Sequence, residues 1–201
     1  GFLSGAPIVV RVKPSEDGRS MELNSGDGGA TLRAVNLYSK VAGGQLIFTA
    51  RLASQGSSIQ NGRMLLRGFA VRNEAALAQV DSRGRQRKSG PRREGLTFKR
   101  MSLRFTADDR FIKFSDTILE GSDIGAVVDK GLIRKSDGAI DITGTIIPMY
   151  EVNSLLSKVP IVGLLITGGK GQGIFGVTFA LGGTFARPQF QVNPASAIAP
   201  G

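Results

Sequence analysis

The 201 residues suffice for one sizeable core, and a hydrophobic content of 41% suits a globular domain. Cys, His and Trp are absent, so the usual zinc and copper ligand sets cannot be built, nor a Ser-His or Cys-His nucleophile pair. The net charge of +10 is concentrated: Arg83, Arg85, Arg87, Lys88, Arg92, Arg93, Lys99 and Arg100 face a single acid, Glu94, and outside that segment the charges nearly balance.

The 28 glycines follow no collagen period, which favours a β protein with many turns and close backbone approaches. Along the chain, Ile8, Val10 and Val12 alternate with Val9, Arg11 and Lys13, predicting a strand over 7–13. A second short strand is expected over 19–24, followed by a glycine-rich turn. Ala30–Val41 carries Leu32, Val35 and Leu37-Tyr38 at helical spacing, and Gly43-Gly44 is expected to end that helix. The period then becomes two. Leu46, Phe48, Ala50 and Leu52 alternate with Gln45, Ile47, Thr49 and Arg51, and Met64, Leu66 and Gly68 alternate with Leu65, Arg67 and Phe69. Both faces of these strands are partly apolar, which predicts a sheet not simply wet on one side.

Asn73 is placed to cap a short helix through about Asp81, and residues 82–94, with Gly84, Gly90 and Pro91, read as a basic loop. Strands are predicted over 95–106, 110–119, 122–134 and 137–147, and their short Asp- and Gly-containing connections imply an antiparallel meander. Pro148 is expected to interrupt the sheet. Met149, Val152, Leu155 and Leu156 suggest a helix that Pro160 ends, with a second apolar turn at Ile161–Ile166. Two more strands are expected, over 173–185 and, beyond Pro188, over 189–192. The fold expected is mainly β: a large twisted antiparallel sheet curled into a groove, with a few short helices at its edge or end, in one domain spanning 1–201.

Residues 144–201 carry Gly144-Thr-Ile-Ile-Pro-Met-Tyr150, Asn153-Ser-Leu-Leu156, Val159-Pro160, Leu165-Ile-Thr-Gly-Gly169 and Pro188-Gln-Phe-Gln-Val-Asn-Pro194. In this order the landmarks resemble the carboxy-terminal signature of AsmA-like bacterial envelope proteins. The upstream glycine, helix, Gly-Gly, strand segment (26–48) is similar to another module of that family. Residues 82–94 depart from it, being longer and more basic. The resemblance implies an inner-membrane-anchored, periplasmic protein of Gram-negative bacteria that acts in outer-membrane homeostasis. Its larger members look like bridge-type carriers that hold phospholipid in an apolar β groove. Beginning at Gly1 with no export segment, the chain reads as a piece of such a protein, and its longest apolar run, Val159–Ile166, is too short to span a bilayer.

An acyl chain needs a continuous apolar surface, since each methylene removed from water contributes roughly 0.8 kcal/mol. Alternation nominates Leu46, Phe48, Met64, Leu66, Phe69, Met101, Leu103, Phe105, Ile112, Phe114, Ile140, Ile142, Phe175, Val177 and Phe179. The same residues would serve equally as the core of an ordinary β-sandwich, and alternation does not say which face would line a groove. The basic residues Arg83, Arg85, Arg87, Lys88, Arg92 and Arg93 are candidates for an anionic membrane surface or a membrane-protein partner, or else a solvated loop. Nucleic acid is not expected, because only Phe98 interleaves with these cations. Asp108, Asp109, Asp116 and Asp123 fall at predicted turns, where Asp serves local hydrogen bonding. Gly168–Gly173 lacks the Gly-Lys-Ser/Thr ending of a phosphate loop. Neither catalysis nor a cofactor is expected.

Overall fold

The computed structural model describes residues 1–16, 18–53, 58–72, 95–122, 124–148, 177–184 and 187–193. The elements in chain order are β1 (Phe2–Leu3), β2 (Ala6–Ser15), β3 (Gly18–Ser25), α1 (Gly28–Ala34), β4 (Val41–Leu52) and β5 (Ile59–Val71). They continue with β6 (Leu96–Ala107), β7 (Phe111–Gly121), β8 (Ile124–Arg134), β9 (Ile140–Pro148), β10 (Val177–Thr184) and β11 (Arg187–Asn193). All eleven strands lie in one antiparallel sheet whose spatial order is the chain order, and the sheet does not close. The mainly β fold expected from alternation is therefore present, with a single short helix among the described residues.

Short polar turns explain the meander. Between β6 and β7, the Asp108 carboxylate accepts hydrogen bonds from the backbone N–H of Arg110 and Phe111, at 2.9 and 2.7 Å. Between β8 and β9, Asp137 accepts from the Ala139 N–H and takes both guanidinium donors of Arg134. Each carboxylate fixes a tight reversal that returns the chain beside the strand it left.

Several expectations are corrected. The helix predicted over Ala30–Val41 starts earlier and stops sooner. Asp27 caps it, its side chain accepting from the Ala30 N–H. Its end is set by Asn36, which takes a left-handed φ of 55°. Leu37 N–H then bonds Leu32 C=O and Asn36 N–H bonds Arg33 C=O, the paired reverse bonds that close a helix carboxy terminus. Gly43 and Gly44 do not end the helix; they lie inside β4 with φ of 66° and 91°. β1 was not anticipated, and β11 begins at Arg187, so Pro188 sits inside it, paired with Gly183. Proline is tolerated there because, among the described residues, β11 is an edge strand with no neighbour on its other side. The helices expected at 73–81, 149–157 and 161–166 lie outside the described residues.

Glycines also reset the side-chain phase. Gly43 pairs with Phe69 and Gln45 with Arg67, leaving Gly44 opposite Gly68, whose φ is 63°. Both strands thus skip one residue at the same level. Phe69 consequently joins Met64 and Leu66 on one face, rather than Leu65 and Arg67 as strict alternation would have it.

Candidate functional site

The register sorts the side chains into two unlike faces. One row across the sheet runs Ile8, Ser25, Leu46, Leu66, Met101, Leu119, Ala126, Ile146. Another runs Val12, Met21, Ala50, Gly62, Phe105, Phe114, Gly131, Ile142, Leu181, Phe190. Phe48, Met64 and Leu103 share one level, as do Ile112, Ile133 and Ile140. The candidate apolar residues in β4–β9 therefore all fall on one face, as does Phe179 in β10. Val177 lies in β10 opposite Ile146 in the backbone ladder. Phe175 lies outside the described residues, as do Arg83, Arg85, Arg87, Lys88, Arg92 and Arg93.

This apolar face is buried in places and half exposed in others. α1 lies on it at the β4–β5 end. A Cβ added to Gly28 would stand 2.4 Å from Leu66 Cδ1 and 3.1 Å from Leu46 Cβ, and one on Gly29 would stand 2.5 Å from the Val41 carbonyl oxygen. Only glycine allows the helix to settle so closely. The helix is held by Thr31, whose hydroxyl donates to Ser25 Oγ at 2.8 Å, and by Arg33, which donates to the Val41 carbonyl at 2.8 Å. Beneath and beside it, Leu46, Leu66, Phe69, Phe98, Ile124 and Ile146 are buried in one cluster, with Phe69 and Phe98 stacked at 5.2 Å. Alternation did not single out Phe98, Ile124 or Ile146. Strict alternation puts Phe98 on the face of Arg100, opposite Met101, and the register shift between Phe98 and Arg100 is what brings it to the buried cluster.

Away from the helix much of the same face is half-buried: Leu23, Phe48, Met64, Leu103, Phe114, Ile142, Phe179, Leu181 and Phe190 are partly exposed, whereas Ala50, Leu52, Phe105, Ile133 and Ile140 are buried. Val10 and Val12 are 53% and 50% exposed. The described strands belong to one sheet, not to two. The sandwich-core alternative is therefore not the arrangement of the described residues.

The surface of this region is shaped by aromatic rings beside glycines. Phe105 pairs with Gly62, Phe114 with Gly131 and Phe179 with Gly144. A Cβ on any of those glycines would come within 2.7 Å of the partner phenylalanine. Each side chain thus leans over the space its glycine leaves. Phe105 also stacks on Phe48 at 5.7 Å and Phe179 on Phe190 at 5.5 Å. Offset-stacked rings of this kind add about 0.5–1.5 kcal/mol per pair beyond burial.

The opposite face is polar, with one apolar row across it: Ile47, Leu65, Ile118 and Val127, with Ile147 close by. This is the partial two-sidedness that alternation suggested. Around that row stand the charges. Arg100 pairs with Glu120 at 2.9 Å, Arg104 with Asp116 at 3.3 Å, Lys113 with Asp108 at 3.9 Å and Arg134 with Asp137 at 2.8 Å; Lys130 bonds Asp141. All ten partners are roughly half exposed, so each pair contributes little to stability.

The acidic candidates have local roles. Backbone donors in its own turn hold the Asp108 carboxyl below the usual carboxylate range, Asp116 sits at a left-handed bulge paired to Arg104, and Asp123 lies outside the described residues. No group of three potential metal-ligating side chains occurs among the described residues. Nor is any described helix long and apolar enough to cross a membrane. No protein-family model, curated protein or solved structure matches the chain.

Proposed function

We propose that this chain is a non-enzymatic lipid-handling segment of the AsmA-like type, part of an inner-membrane-anchored periplasmic protein. Its apolar sheet face would hold or conduct phospholipid acyl chains for outer-membrane homeostasis. One observation carries the reading: a single open sheet gathers its apolar side chains on one face, and many of them, from Leu23 and Phe48 to Phe179 and Phe190, stay half exposed. Such a face is costly in water, and apolar patches of this extent mark a ligand groove or an interaction site.

Acyl chains suit the face chemically. Its open part is lined by flat rings, Met and Leu, without a charged side chain at the Phe48, Met64 and Leu103 level. Each methylene seated there contributes roughly 0.8 kcal/mol, so a handful of contacts outweighs the cost of ordering a flexible chain. Capping by α1 would give the groove a closed end. The carboxy-terminal landmarks at 144–194 supply the envelope setting and are independent of these packing features.

Mass spectrometry of lipid retained by gently purified protein, compared with a detergent-washed preparation, tests the proposal. Stoichiometric phospholipid is expected, and Met64→Glu with Leu103→Glu should abolish its retention. Leu65→Glu, on the same strand but the opposite face, should leave it intact. Lipid-free protein that takes up no phospholipid when reloaded, or equal loss in both variants, would refute a groove on this face.

A further inference from the structure

The polar face holds a feature that the charge distribution along the chain does not reveal. Between β2 and β7 lies a hollow of about 560 Å³ whose lining includes Arg11, Lys13, Arg51, Arg63 and Arg104, with Glu22 its one acidic side chain. These residues are drawn from four strands and span more than ninety positions of sequence. They meet because Arg11, Glu22, Thr49, Arg63 and Arg104 form one row of the ladder, and Lys13, Ser20, Arg51 and Asn61 the next.

Two observations set this patch apart from the rest of the polar face. On β6–β9 every described cation but Lys99 has a carboxylate partner: Arg100, Arg104 at the edge of the hollow, Lys113, Lys130 and Arg134. Among the described residues, Arg11, Lys13, Arg63 and Arg67 have none. Moreover, Arg63 stands directly opposite Arg104, and Arg67 directly opposite Arg100. Like charges in direct cross-strand register destabilise a sheet, and Asp116 and Glu120 offset only Arg104 and Arg100, leaving one positive charge uncompensated in each pair. An anion seated between them would remove that repulsion.

We infer that this cationic hollow docks the protein on the phosphate headgroups of an anionic lipid bilayer. Its volume exceeds what a single phosphate needs, and its charge is spread over a broad sheet surface, as an extended array of phosphates requires. The half-buried Leu65 lies between Arg63 and Arg67, with Ile47 beside it on β4. Cations flanking an apolar row match an interface where headgroups adjoin acyl chains. A nucleic acid fits less well, since the polar-face side chains here include no aromatic for base stacking. The assignment does not depend on what the apolar face holds, because it uses the opposite side of the sheet.

The test is co-sedimentation of the whole chain with vesicles of phosphatidylcholine alone or mixed with phosphatidylglycerol, at low and high salt. Binding is expected only to the mixed vesicles and should weaken with salt. Three variants lose the same charge: Arg11→Gln, Lys13→Gln and Arg63→Gln in the hollow with Arg67→Gln farther along β5; Lys113→Gln, Lys130→Gln, Arg134→Gln and Lys135→Gln elsewhere; and Arg83→Gln, Arg85→Gln, Arg87→Gln and Arg92→Gln in the basic segment. At roughly fivefold per cation in contact with the surface, the first should lose more than about a hundredfold in partitioning and the other two much less. Equal losses in all three, or loss confined to the basic segment, would overturn the assignment. So would binding of duplex DNA with equal affinity and the same dependence on hollow residues. Arg63→Gln with Arg67→Gln alone removes only repulsive pairs and keeps the test decisive if the fourfold variant misfolds; unchanged binding in that pair also counts against the hollow.

Discussion

Gly62→Ala is the sharpest check on the construction of the apolar face. A methyl group at this position would stand 2.3 Å from the Thr49 carbonyl oxygen and 2.7 and 2.8 Å from two ring carbons of Phe105. Carbon atoms rest at about 3.5–4.0 Å, so the ring would have to retreat by about 1 Å, breaking its stack on Phe48. The carbonyl belongs to the β4–β5 ladder and cannot move alone. Overpacking of this kind costs about 1–3 kcal/mol, and replacing glycine by alanine in a strand returns roughly 0.5–1 kcal/mol. A net loss of about 1–2 kcal/mol should lower Tm by roughly 2–8 °C for a chain of this size. Gly182→Ala is the matched control, because its nearest neighbour would be the Ile140 carbonyl oxygen at 3.9 Å, an ordinary contact; it should be neutral or slightly stabilising. Denaturation followed by circular dichroism compares the two. In a Phe105→Leu background the part of the Gly62→Ala penalty that comes from the ring should disappear. Equal Tm values for Gly62→Ala and Gly182→Ala would refute the ring-over-glycine account.

Other consequences concern the helix, the covered end and the turns. Asp27→Ala removes the α1 cap and should cost about 1 kcal/mol in urea denaturation, with hydrogen exchange rising first at Ala30 and Thr31; no change would mean the helix is held by packing alone. Phe98→Ala, in the buried cluster at 3% exposure, should cost about 3–5 kcal/mol. Phe48→Ala at a half-exposed position should cost clearly less, and the reverse order would contradict this ranking by burial. Asp108 and Asp137 both have carboxyls held below the ordinary range, the first chiefly by the Phe111 and Arg110 N–H groups and the second chiefly by Arg134. A depressed folded-state value means their contribution is complete above the unfolded value of about 3.9 and is lost as pH falls through the lower folded one. Wild-type stability should therefore fall more steeply below about pH 4 than that of Asp108→Asn with Asp137→Asn, and parallel pH profiles would exclude these turns from acid sensitivity.

Most of the architecture was legible in local chemistry. Period-two alternation marked nearly every strand, because one face of a sheet must be apolar and successive side chains must oppose each other. Asp and Gly marked the hairpins, because a two- to four-residue reversal demands local acceptors and permissive backbone. Alternation also nominated Phe48, Met64, Leu103, Phe105 and Phe114, which share a face. It erred where backbone geometry overrode the count. The positive φ of Gly44 and Gly68 shifts both strands by one residue, moving Phe69 across the sheet. Asn36, rather than Gly43-Gly44, ends α1, since a left-handed Asn completes the reverse bonds that a later glycine pair was expected to provide.

Other features were beyond any linear count. Which residues of β4 and β5 are buried under α1 depends on where that helix settles, and that rests on Gly28 and Gly29 meeting Leu66, Leu46 and the Val41 carbonyl. Charge shows the same divide. Summed along the chain, the positive balance lies in residues 83–100 and the remainder looks neutral. Register instead gathers Arg11, Lys13, Arg51, Arg63 and Arg104 from strands distant in sequence, against only Glu22 in the lining and Asp116 beside Arg104. Composition determined that a two-faced β sheet would form and what each face would be made of. Only the pairing of strands decided which cations face one another, because electrostatic repulsion acts across the 4.7–4.9 Å between neighbouring strands and not along the chain.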